Sequence, residues 1–267
     1  MDAFLCRLAP DELWELFLRV VPPAPTRPQG GGRRRVDDRV ILAAIVYVAT
    51  TGCAWRQLPP VFGASWQTVH RRFGEWSAAR VWAKLYRILL DELGARGELD
   101  WSRCAIDSVS VRAAKGELTG PNPVDRGKKG SKIHLITERT GLPLAVAISA
   151  ANVHDSLALE PLVRSIPPVR SRRGPRRRRP AKLHGDKGYD YSHLRTFLRS
   201  RGIIPRIARR GIESSQRLGR HRWVVERTVS WLAGCRRLHR RYERRADHFA
   251  SFVAIAAALI CYRRLTK

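Results

Sequence analysis

Apolar residues along the chain fall first into helical and then into strand spacing. From Asp11 to Val21, Leu13, Leu16, Phe17 and Val20 lie at i, i+3, i+4 and i+7, which predicts a short amphipathic helix. Pro22 to Arg35 reads as a Pro/Gly/Arg linker. Asp37-Asp38 can cap a second helix running through RVILAAIVYVATT and closing near Gly52. Trp55 to Ala64 is a turn-rich connection. From Ser65 to Trp76, Trp66, Val69, Phe73 and Trp76 share a side, leaving Gln67, Thr68, His70, Arg71 and Arg72 largely on the other faces. A further helix runs from Ala78 to about Ala95. Helix, turn, helix with Arg and polar side chains on the second helix is the outline of a helix-turn-helix; a plain three-helix bundle with a solvated Arg face shows the same pattern.

After Gly97-Glu98 the apolar period changes from 3.6 to 2, which divides the chain into a helical domain, 1–98, and a second domain, 99–267. CAIDSVSV (104–111) alternates and is a strand carrying Asp107. Ala114 to Ser131 is a loop. Lys132–Thr137 and Leu142–Ser149 form a hairpin around Arg139-Thr140-Gly141. Asp155 caps a helix to about Ile166. Pro167 to Pro180 holds seven arginines among prolines, an exposed basic loop. PAKLHGDKGYDY then places Asp186 at a strand end, followed by a helix and a short strand, Ile203–Ala208. A basic connection, Arg209–His221, leads to a helix from Arg222 to about His239 that contains Glu226. Phe249 to Tyr262 is a last apolar helix. Three strands, helix, strand, helix, strand, helix, helix is the order of a ribonuclease-H-like α/β core, a mixed five-stranded sheet flanked by helices.

Charge adds a partner. Lys+Arg 51 against Asp+Glu 23 gives a net charge of +28, which favours a polyanion, nucleic acid above all, with a membrane surface as the alternative. Both long apolar runs, Val40–Ala49 and Phe249–Tyr262, are shorter than the roughly 18 residues that span a bilayer, so both read as core helices and no membrane is expected. The N-terminus lacks a cationic segment before an apolar run, unlike a signal peptide. Five dispersed cysteines with no CxxC pair argue against a disulfide framework and against zinc, and fit a reducing cytosol.

Three carboxylates carry the candidate chemistry. Phosphoryl transfer on DNA needs the attacking and leaving oxygens held in line and their charge neutralised, which two divalent ions roughly 4 Å apart can do. Two or three carboxylates suffice for Mg²⁺. Asp107 on a strand, Asp186 at a strand end and Glu226 on a helix could converge on one point. The bland alternatives are an Asp107 paired to an arginine, an Asp186 that only forms a turn, and a Glu226 bridged to Arg222.

WRQLPPVFGASWQTVHRRFGEW, AIDSVSVRAAKG, KGSKIHLITERTGLPL, ANVHDS, HGDKGYDY and RWVVERTVSWLAGCRRL together resemble successive blocks of the DDE transposases of bacterial insertion sequences, in the insertion-sequence-five-like group, over nearly the whole chain. The resemblance implies a DNA transposase that binds terminal inverted repeats and cuts and joins DNA with two ions of Mg²⁺ or Mn²⁺. It carries the catalytic, metal-holding acids to Asp107, Asp186 and Glu226. In the wider superfamily a Tyr stands seven residues before the Glu, an Arg four before and a Lys seven after. Arg222 fits, whereas Gly219 and Ala233 depart, and Arg236 or Arg237 could replace the missing Lys. Candidate DNA contacts are therefore Gln67, Arg71, Arg72, Lys187, Arg222, Arg236 and Arg237. The implied partners are transposon-end and target DNA, with a homodimer or higher oligomer forming on it in the bacterial cytoplasm, at the nucleoid. A catalytically inactive repressor derived from such a protein is the alternative; a structural RNA-binding protein is disfavoured by the acidic trio.

Overall fold

The computed structural model describes residues 3–24, 35–209 and 215–267, without the side chains of 215–222. Most of the Pro/Gly/Arg linker, part of the basic connection after Arg209 and the side chain of Arg222 lie outside the described residues. Five helices come first: α1 (Ala3–Leu8), α2 (Asp11–Leu18), α3 (Asp38–Thr51), α4 (Trp66–Ala78) and α5 (Val81–Arg96). Their ends follow from local chemistry. Asp37 accepts the Arg39 N–H to start α3, and Gly52, in the left-handed region at φ 73°, ends it. Ser65 accepts the Thr68 N–H to start α4.

The remaining elements are β1 (Cys104–Ala113), β2 (Gly120–Pro121), β3 (Lys129–Glu138), β4 (Pro143–Ala150), α6 (Ser156–Ser165), β5 (Lys182–Gly185), α7 (Ser192–Ser200), β6 (Ile204–Ile207), α8 (Ser215–Ala233), β7 (Arg240–Arg241) and α9 (Ala246–Leu265). The five main strands lie in the order β4-β3-β1-β5-β6. The first three neighbours are antiparallel, and β1, β5 and β6 are parallel. That is the ribonuclease-H-like topology expected from the element order. The two-residue strands β2 and β7 only extend the ends of β3 and β1.

The β3–β4 turn is held by Glu138, which is 1% exposed. Its carboxylate accepts the N–H groups of Asp100, Thr140 and Leu142. Burial raises its pKa while these bonds oppose the rise, so Glu138 serves structure, not chemistry.

Several sequence expectations change. Asp155 makes no side-chain cap; its carboxylate pairs at 2.9 Å with Lys132 Nζ. α8 begins at Ser215 and stops at Ala233, and Arg236–Leu238 forms a separate 3-10 turn. The arginine-rich stretch is exposed as expected, and it is also anchored: Val169 and Arg177 pair as an antiparallel bridge, and Asp91 of α5 accepts from the Arg170 N–H and from Arg176. The Arg170 carbonyl also sits where a side chain on Gly94 would reach it at 2.1 Å, so only glycine admits this docking.

One hydrophobic cluster runs through the whole chain, taking in Leu13, Ile41 and Leu89 from the helices, Ile106, Leu135 and Leu183 from the sheet, and Phe252 from α9. α9 is apolar all round and packs against α5, α3, α4 and β4. By length and composition it could cross a membrane, but its positions from Phe249 to Cys261 are almost all buried in this core. The five cysteines are free thiols.

Candidate active site

Strand pairing sets side by side the segments that lead to two of the three acids. β1 and β5 run parallel with Cys104 opposite Leu183 and Ala105 opposite His184. Two residues further along both strands stand Asp107 and Asp186, at the carboxyl end of β5 where ligands of such sheets bind. The strands approach closely here: a side chain on Gly185 would meet Ile106 at 3.2 Å. Asp186 ends β5 in extended backbone, and its Oδ1 accepts the Gly188 N–H at 2.8 Å. This fixes one carboxylate oxygen on the 3-10 turn Lys187–Tyr189. Asp107 is half-buried, and its Oδ1 accepts the Ser108 N–H at 2.8 Å.

Glu226 stands on α8, which packs across β1, β3 and β5. Val224, Val225, Thr228 and Leu232 form the inner side of this helix, and the Thr228 hydroxyl donates to the Gly141 carbonyl at 2.6 Å. Glu226 itself is exposed. Among the described residues, no three His, Cys, Asp or Glu side chains are gathered closely enough to hold a metal ion. Asp107 and Asp186 thus each lie two residues beyond the paired Ala105 and His184, and Glu226 stands on a helix over the same strands. In donor type the acids fit a hard divalent cation, since each offers carboxylate oxygens.

Strand alternation puts Ser108 and its partner His134 on the face opposite Asp107. His134 is 1% exposed, with Nε2 bonded to the Ser149 hydroxyl at 2.7 Å. Burial pushes its pKa down to about 4. This network lies behind the acids and supports the strand pair.

The candidate DNA contacts divide. Gln67 and Arg71 are exposed on α4, with Arg71 bonded to Glu75 at 2.7 Å. Lys187 is half-buried beside Asp186, and Arg236 is exposed in the 3-10 turn. Arg72 and Arg237 are not surface groups. Arg72 is 2% exposed, ion-paired with Asp38 and Glu75 and set over the Trp76 ring. Arg237 is 5% exposed, pairs with Glu243 at 2.7 Å, donates to the Cys53 carbonyl, and packs on Tyr242 and Phe252. Both guanidiniums are spent inside the fold, so neither reaches DNA. Because α8 stops at Ala233, neither Arg236 nor Arg237 continues the face of Glu226.

Sequence reasoning passed over Arg227. Its guanidinium lies 4.5 Å from the Trp223 ring and 4.6 Å from the Trp231 ring, and it donates to the Thr140 carbonyl. Trp223 and Trp231 are 50% and 36% exposed, so an aromatic–cation–aromatic ladder lines the helix beside Glu226. The spacing i, i+4, i+8 was the available signal.

Residues 9–86 match the family model described as "Putative transposase of IS4/5 family", and residues 102–261 match "Transposase DDE domain". The "Putative transposase for insertion sequence element IS402" of Burkholderia cepacia is 48% identical over 149 residues, 56% of this chain and 71% of that protein. An uncharacterised 16.2 kDa protein of the same insertion element is 42% identical over 116 residues, 42% of this chain and 79% of that protein. A solved pre-cleavage Mos1 transpososome aligns over 95% of this chain and 86% of that chain at 9% identity, with a TM-score of 0.27, too slight a likeness to bear on the argument.

Proposed function

The chain belongs to the DDE transposases of insertion sequences, and on that footing we propose that it binds its element's terminal inverted repeats, cuts there, and joins the freed 3′ ends to target DNA. Asp107, Asp186 and Glu226 are the proposed catalytic acids and would hold two divalent ions, Mg²⁺ or Mn²⁺. Bound there, such ions neutralise charge on the attacking and leaving oxygens of phosphoryl transfer.

The observation that carries this reading is the register of β1 against β5: Ala105 lies opposite His184, and Asp107 and Asp186 each follow two residues further along the chain. Carboxylate oxygens are the ligands a hard divalent cation takes, so acids carried by neighbouring strands suit cation binding. The Gly188 N–H fixes the Asp186 carboxylate in one orientation before DNA arrives. Gln67 and Arg71 on α4 are the proposed end-reading residues; Lys187, Arg222 and Arg236 are proposed phosphate contacts. The protein acts as a homodimer or higher oligomer on DNA, at the nucleoid.

The test pairs a nicking assay with a gel shift on the element's ends. Asp107→Asn, Asp186→Asn and Glu226→Gln are each expected to abolish nicking, a loss of at least 10³-fold, and to leave end binding intact. Robust nicking by one variant removes that residue from the site.

A further inference from the structure

A groove of about 700 Å³ opens between α5, the outer strand β4 and the segment Ile166–Pro168. Its floor is apolar, formed by Trp82, Tyr86, Leu144, Ala145 and Ala254. Its rim is cationic. Lys84 and Arg87 stand on one side, three residues apart on α5, with Arg80 just before the helix at its N-terminal end. Arg164 and Arg178 stand on the other. All five are exposed. The acid in the lining, Asp247, is already bonded to Arg245 at 2.6 and 3.0 Å. Among the described residues, Arg80, Lys84 and Arg87 form no ion pair.

Arg80 adds a second sign. It sits at φ 56°, ψ 29°, a left-handed backbone that residues other than glycine rarely adopt. Strain of this kind concentrates where a side chain has work to do. The groove also lies near the candidate acids. Val146 in its wall is opposite Leu135, and Leu135 is opposite Asp107, which puts the groove two strands, about 10 Å, across the sheet.

We infer that this groove holds a sugar–phosphate strand of DNA, its phosphates on Arg80, Lys84 and Arg87, facing Arg164 and Arg178. The inference rests on the transposase reading above and gives it a second backbone contact, separate from α4 and from the acids. The occupant is either one strand of a duplex or an unpaired strand; both offer the same phosphodiester chemistry.

The test is the salt dependence of binding, by fluorescence anisotropy, to a 30-base-pair duplex and a 30-nucleotide single strand. The groove variant carries Arg80→Gly, Lys84→Gln and Arg87→Gln. Glycine removes the side chain at residue 80 while relieving its backbone. The double variant Lys84→Gln, Arg87→Gln runs alongside, leaving that backbone alone. A control with Arg199→Gln, Arg201→Gln and Arg206→Gln, all exposed on α7, just after it or on β6, removes the same charge elsewhere. Each lost phosphate contact should flatten the slope of log affinity against log salt by about 0.9 on duplex and about 0.7 on single strand, so the triple variant loses up to about 2.7 or 2.1. Flattening on duplex assigns the groove to paired DNA, and flattening confined to single strand assigns it to unpaired DNA. Equal flattening by the control reduces the effect to bulk charge and overturns the inference. An unchanged slope in the groove variants, with wild type binding normally, overturns it too. A wild-type protein that binds neither DNA refutes the transposase reading itself.

Discussion

At the scale of single residues, the structure separates arginines that hold the fold from arginines free to bind. Arg72, expected on an outer face of α4, lies three residues after Val69 and four before Trp76, and that spacing turns it inward. Arg237 had no such mark: its partner Glu243 is six residues on, in an arginine-rich tail without period. Removing one member of a buried ion pair leaves the other charge uncompensated, at a cost of about 3–5 kcal/mol. Arg237→Ala should therefore lower stability by that order in urea unfolding. Arg237→Met with Glu243→Leu should restore most of it, and Arg71→Ala should change it by no more than about 0.5 kcal/mol.

His134 makes a pH prediction. Its folded pKa, about 4, lies below the ordinary 6.5, so between these values the unfolded chain binds more protons. Stability from this group is complete above about pH 6.5 and falls as pH drops toward 4, by up to about 3 kcal/mol. Relative to His134→Gln, wild type should lose stability between pH 7 and pH 4.5. Parallel pH curves for the two proteins would rule out a buried neutral histidine.

At the scale of elements, the period change after Gly97 and the alternation around Asp107 made most helices and strands legible. The limits of α8 were not legible, because residues 215–222 carry few apolar side chains to set a period. The acids at positions 107 and 186 were visible as residues. The parallel pairing of the strands that lead to them, β1 with β5, is a contact between segments 79 residues apart that no local pattern encodes. The anchoring of the arginine stretch was not legible for the same reason, since Asp91 and Gly94 lie on α5. Asp91→Ala should free this stretch, and trypsin should cut within residues 170–179 faster than in wild type. Equal cutting rates would mean the Val169–Arg177 bridge holds the stretch unaided.

At the scale of the whole molecule, the packing is more continuous than the sequence division at residue 98. The two family matches meet between residues 86 and 102, yet α5 rests on α9, and one core joins helices and sheet. Fully burying a Phe or Leu side chain stabilises by roughly 1.5–3 kcal/mol, and α9 buries Phe249, Phe252 and ten further residues. Calorimetry of the chain should accordingly show one cooperative transition. A fragment of residues 1–98, lacking α9, should melt without a sharp transition; a sharp one would show that the helical region folds alone.

That reliance on α9 also sets a clock for synthesis. The first five helices leave the ribosome long before the helix that covers them. At roughly 5–20 residues per second, about 10–30 s pass between the emergence of α5 and that of α9. Through that interval the flank of α5 destined for α9 faces water. A chain released early, by a broken message or a premature stop, keeps it bare and becomes a target for chaperones and proteases. Only a ribosome that has read through to α9 releases a chain whose helical region can be covered.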